Sequence, residues 1–106
     1  MLFENDNEAE AALREGIARK RCVSAVYNKR TVIVAPHQMF ERHGDLFVRA
    51  VTVEIDGQKP KEAKLGTFKL SGLKDVEITR KLFRPQADLL AAAEPHVADT
   101  VLTAVL

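Results

Sequence analysis

The chain is 106 residues long, 46% hydrophobic and 29% charged, which is one domain's length with enough apolar residues for a modest core. Its single cysteine excludes an internal disulfide and an all-thiolate metal site, and no apolar run approaches the roughly 20 residues of a membrane helix. The net charge of +1 conceals an uneven spread. Residues 1–18 carry five acids against one arginine, residues 19–84 carry fifteen Lys/Arg against seven Asp/Glu, and residues 85–106 carry three acids and no base.

The start, Met1-Leu2-Phe3-Glu4-Asn5-Asp6, lacks the basic-then-apolar pattern of a signal peptide, so an intracellular, cytoplasmic protein is expected. Residues 8–20 predict a helix. Leu13 and Ile17 lie four apart, with Ala9, Ala12 and Gly16 near the same face. Asn5 or Asp6 offers a cap, and Glu10–Arg14 and Glu15–Arg19 are favourable i,i+4 pairs.

Strands follow. Cys22–Tyr27 is the first, and Asn28-Lys29-Arg30 is a polar turn. Thr31–Met39 is the second, bent or bulged at Pro36 because proline cannot donate to a ladder. A turn at 42–45 leads into Leu46–Ile55, the clearest strand. Residues 56–60 form a Gly/Pro-punctuated loop, and Leu65–Leu70 and Val76–Thr79 are two further strands joined through Ser71-Gly72. Short strands on tight turns predict a mostly β domain, a small antiparallel barrel or sandwich, over residues 1–84. Residues 85–106 predict a helical tail, because 86–93 are helix formers and Val97, Val101, Leu102 and Val105 recur at helical spacing. That stripe packs either on the domain or on its copy in a homodimer.

Catalytic patterns are missing. His37, His43 and His96 share no ligand spacing, Cys22 reads as a small core residue, and Ser24 and Ser71 lack a nucleophile elbow. No carboxylate pair and no phosphate-cradling loop occurs, so a non-enzymatic protein without cofactor or metal is expected. The basic middle suits an anionic partner such as a nucleotide or nucleic acid; its plainer reading is a solvated surface.

Period-2 alternation over 46–55 sets Leu46, Val48 and Ala50 on one face and Phe47, Arg49, Val51, Val53 and Ile55 on the other. Arg49 thus projects among apolar residues, either to hold an anion or to pair with Glu41 or Glu77. Tyr27 is placed to stack a base or to sit in the core with its hydroxyl at the rim. Arg30 lies in the adjoining turn. His37 is placed to donate to an anion or to a backbone carbonyl. Ser24 and Lys69 are weaker candidates. Lys59, Lys61 and Lys64 read mainly as solubilising, with phosphate tracking as the minor reading.

The stretch from Leu13 to Phe83 carries a family likeness. A helix, Leu13-Arg14-Glu15-Gly16-Ile17-Ala18, leads into Cys22-Val23-Ser24-Ala25-Val26-Tyr27. Lys29-Arg30, Val34-Ala35-Pro36-His37, Gly44-Asp45-Leu46-Phe47-Val48-Arg49-Ala50 and Thr67-Phe68-Lys69-Leu70-Ser71-Gly72-Leu73 follow in order, closed by Phe83. In order and spacing this resembles the WYL domain, in its short stand-alone form. The naming Trp-Tyr-Leu is here Leu46-Phe47-Val48, and a frequent arginine of the later motif is Gly72. The resemblance implies an SH3-like or Sm-like barrel. It also implies a sensor role in bacterial transcription or defence regulation, with a nucleotide or short single-stranded nucleic acid bound in a basic groove by Tyr27, Arg30, His37, Arg49, Ser24 and Lys69. With no room for a DNA-reading helix-turn-helix, the expectation is a sensor module or adaptor alone. The alternative is a protein-interaction or homodimerisation module without a small-molecule ligand. Fold analogy by itself does not establish either.

Overall fold

A computed structural model describes the backbone of residues 2–86, 88–89 and 100–103, and the side chains of 8–86, 88 and 89. The element order is helix α1 (Leu2–Arg19), strands β1 (Arg21–Tyr27), β2 (Arg30–Arg42), β3 (Asp45–Ile55) and β4 (Leu65–Lys69), a 3₁₀ turn (Leu70–Gly72), β5 (Lys74–Leu82) and β6 (Thr100–Thr103). The mostly β fold with an N-terminal helix is therefore as expected. The helix begins earlier than expected, so Asn5 and Asp6 lie inside α1 rather than capping it. Both anticipated i,i+4 pairs form: Arg14 Nε–Glu10 Oε2 at 2.8 Å and Arg19 Nε–Glu15 Oε2 at 3.4 Å.

The sheet is antiparallel, in the order β4-β3-β2-β1-β5, and β6 pairs with β2 beside the end of β1's ladder. Among the described residues β4 and β5 do not pair, so the expected barrel is an open sheet. The tail departs from expectation in part: residues 88–89 are helical, as expected, but the end of the tail is not. Thr100–Thr103 is a strand, with Met39 opposite Leu102 and Phe40 opposite Thr100, so Val101 and Leu102 do not belong to a helical stripe. A free edge of β2 rewards an extended segment with backbone hydrogen bonds, and β-branched Thr100, Val101 and Thr103 favour that state. Val97 and Val105 lie outside the described residues.

The inner face of the sheet holds the main core. Leu13 and Ile17 of α1 pack on Val23, Ala25, Val32, Val34, Met39, Val48 and Ala50, with Leu70 and Leu73 sealing one side. Tyr27, Leu46, Ile55, Phe68 and Val76 border it, so all five strands of the ordered path contribute to one interior. The outer face carries a smaller cluster of Cys22, Ala35 and Val51, flanked by Ile33, Val53, Leu65, Phe83 and Leu89.

Two bulges set these faces. Ile33 pairs with Glu54 and Val34 with Thr52, so Val53 is an extra residue. That insertion returns Ile55 to the inner core opposite Val32, correcting its assignment to the face of Val51. Pro36 pairs with Ala50 and Gln38 with Arg49, so His37 is the second extra residue. The bend expected at Pro36 is this bulge.

Candidate nucleic-acid interface

The topology gathers three chain turns at one end of the sheet. β1 ends there at Tyr27 and β2 begins at Arg30; β3 ends there at Ile55, and β5 begins at Lys74 opposite Val26. The β1–β2 connection is a two-residue turn with both central residues left-handed, Asn28 at φ 50° and Lys29 at φ 64°. Asp56 ties the neighbouring loop to it. The Thr31 N–H donates to Asp56 Oδ1 (3.0 Å), and the Asp56 N–H donates to the Thr31 carbonyl (2.7 Å).

Two clefts flank the turn. One, of about 380 Å³, is lined by Val26, Asn28, Lys29, Gly72 and Lys74. The other, of about 450 Å³, is lined by Arg30, Ile55, Asp56, Gln58, Lys59 and Pro60. Lys29, Arg30, Lys59 and Lys74 are all exposed, and none has an ion-pair partner among the described residues. Asp56 and Asp75 are the carboxylates of this end, leaving it net positive. Tyr27 reaches it from the inner face. Its ring meets Phe68 edge-on at 5.2 Å, and its Cε1 lies 3.7 Å from where a Cβ on Gly72 would stand.

The six residues singled out from the sequence divide. Tyr27 and Arg30 share this end. Lys69 lies at the opposite end, 3.4 Å from Asp45. Ser24 faces outward in mid-sheet, between Ile33 and Glu77. Arg49 is 4% exposed on the outer face; its Nη1 donates to Gln38 Oε1 (3.1 Å) and its guanidinium sits 4.9 Å over the Phe40 ring. Phe40 stacks in turn on Phe47 at 5.3 Å. Arg49 thus takes its place within a packed aromatic cluster.

His37 is fully buried. Its Nδ1 lies 2.8 Å from the Ala35 carbonyl, and its Nε2 accepts the Gln86 N–H at 2.9 Å. One nitrogen must donate and the other accept, so this is a neutral imidazole protonated on Nδ1. Burial holds its pKa below the ordinary value, against a smaller upward pull from the Ala35 carbonyl. Both polar atoms are used inside the fold, and among the described residues no single groove joins His37, Arg49, Tyr27 and Arg30.

Cys22 is completely buried, and desolvation raises its pKa, which matches its reading as a core residue. Among the described residues no cluster of His, Cys, Asp and Glu is arranged to hold a metal ion, and no helix is long and apolar enough to cross a membrane. Lys74 belongs to no motif and stands out by no local pattern in the sequence. The signal was there: antiparallel strands alternate direction, so the β1–β2 turn, the end of β3 and the start of β5 share one end. Comparison with protein-family models, curated proteins and solved structures finds no match.

Proposed function

We propose that the chain is a non-catalytic regulatory or sensor domain of WYL type. Its ligand is phosphate-bearing, a nucleotide or short single-stranded nucleic acid, and it docks on the basic end of the sheet. Lys29, Arg30, Lys59 and Lys74 contact phosphates, and Tyr27 offers a ring edge. In this reading the curled sheet is a variant of the SH3-like barrel, and the setting is transcriptional or defence regulation. The single observation that carries it is the meeting of four cations from three separate connections around two clefts, without ion-pair partners among the described residues. Four cations against the two carboxylates Asp56 and Asp75 leave this end net positive, which favours an anion.

Lys29 adds weight. Its left-handed backbone costs a non-glycine residue about 1 kcal/mol, and glycine is the residue such a turn prefers at that place. A lysine there sacrifices turn stability for its side chain.

The test is binding of a labelled oligothymidylate followed by fluorescence anisotropy. Four phosphate contacts on a single strand predict a slope of about −2.8 in log affinity against log salt, hence about a 50-fold loss between about 50 and 200 mM salt. Lys29→Gly is expected to weaken binding and flatten that slope while raising stability by up to about 1 kcal/mol. Salt-independent retention, or a Lys29→Gly protein that binds as tightly as the parent, contradicts the proposal.

A further inference from the structure

We propose that the segment Phe83–Gln86 is an acid-released strap, held against the outer face of the sheet by His37 in its neutral form. This goes beyond the ligand-binding reading and does not depend on it.

The strap is attached at two points. The Phe83 N–H donates to the Lys20 carbonyl at 2.9 Å, and the Gln86 N–H donates to His37 Nε2. Between them Phe83 lies against the His37 ring, centroids 5.1 Å apart at 33°. Phe83 and, further on, Leu89 cover Cys22, Ala35 and Val51. The second attachment depends on a lone pair. An imidazolium has donors on both nitrogens, so a protonated His37 faces the Gln86 N–H with a second N–H. The bond becomes a repulsion, and the charge is buried.

The surroundings offer that charge no relief among the described residues. The ionisable groups around the strap are Lys20 just after α1, the Cys22 thiol on β1, Arg49 and Glu54 on β3, Lys81 on β5, Arg84 in the strap and, beyond it, Asp88, which is exposed to water. Burial keeps the thiol neutral. Arg49 is itself cationic and engaged with Gln38 and Phe40. Glu54 is bound to Lys81 at 3.4 Å, and Arg84 is exposed and of the wrong sign. Relief comes from opening, which lets water reach the imidazolium. The bulge makes His37 the extra residue of β2, so the strap can leave while the ladder residues Pro36 and Gln38 keep their β3 partners.

The sign follows from linkage. The closed strap disfavours the proton, whereas the open one lets His37 titrate near its ordinary 6.5. Stabilisation of the closed form is complete above that value and is lost as pH falls below it. The opening constant therefore rises as pH falls, by at most about 30-fold between pH 7.5 and 5.0, the limit in which the closed form takes no proton.

Amide hydrogen exchange by NMR tests this, in protein carrying His43→Gln and His96→Gln so that His37 alone titrates among histidines. The Gln86 protection factor, corrected for the intrinsic rate, is expected to fall from pH 7.5 to 5.0, by a factor of up to about 30. Val34 protection should hold, and His37→Gln, which never takes the proton, should abolish the change. Imidazole nitrogen shifts give a second readout: an Nδ1-protonated ring at pH 7.5 that becomes doubly protonated in step with the loss of Gln86 protection. PH-independent Gln86 protection, equal loss at Val34 and Gln86, or an Nε2-protonated ring at pH 7.5 would overturn the proposal.

Discussion

Gly16 lies on the side of α1 that meets the sheet. A Cβ there would stand 2.8 Å from Val23 Cγ2, 2.9 Å from the Arg21 carbonyl oxygen and 3.0 Å from Pro36 Cγ. The two side-chain atoms belong to a fully buried valine and a fully buried proline ring, and the carbonyl belongs to the β1 backbone, so none gives way cheaply. Gly16→Ala would gain about 1 kcal/mol in helix propensity and lose about 1–3 kcal/mol to overpacking. We expect a net destabilisation of up to about 2 kcal/mol in urea unfolding; a variant more stable than the parent would contradict the close approach. Arg49 is the second informative residue. Its removal takes away the nearer of two cations over the Phe40 ring, leaving Arg42 at 5.6 Å, and deprives Gln38 Oε1 of a donor, which predicts a loss of about 1–3 kcal/mol for Arg49→Ala. On our account the same variant binds oligonucleotide with unchanged affinity, and weakened binding by a fully folded Arg49→Ala would move the ligand to the outer face.

At the scale of elements, β3 shows what periodicity reveals and where it stops. Alternation correctly set Leu46, Val48 and Ala50 inward and Arg49 and Val51 outward. It failed at Ile55, because the extra residue Val53 shifts the phase by one and a period-2 pattern contains no mark of an insertion. The same blindness hid the role of His37. As the residue after Pro36 it reads as a candidate donor; as the bulged residue of β2 it is turned against Phe83 and Gln86. Residues 100–103 failed for another reason. Val101 and Leu102 fit a helical stripe, but their state depends on the open edge of β2 at Gln38–Phe40, a tertiary fact. Helix α1 was legible because its apolar spacing and its ion pairs agree. Leu13 and Ile17 are both fully buried, so truncating either to alanine should cost about 2–5 kcal/mol, measured by chemical denaturation. A loss below about 1 kcal/mol would mean that the helix is not part of the core.

For the whole molecule, placement decides where charge gathers. An alternating sheet collects its turns at two ends, and one end collects Lys29, Arg30, Lys59 and Lys74 from connections far apart in the chain. The excess of base over acid in residues 19–84 was legible in the sequence, but its focus was not, since focus depends on which strands neighbour one another. The most direct measurement is a titration of the protein with a short oligothymidylate, followed through backbone amide shifts. The account predicts that residues 28–30, 57–59 and 72–75 shift together along a single saturation curve, with Gln38, Arg49 and Lys69 unmoved. Shifts centred on Arg49 and Phe40, or none at any oligonucleotide concentration in low salt, would contradict it.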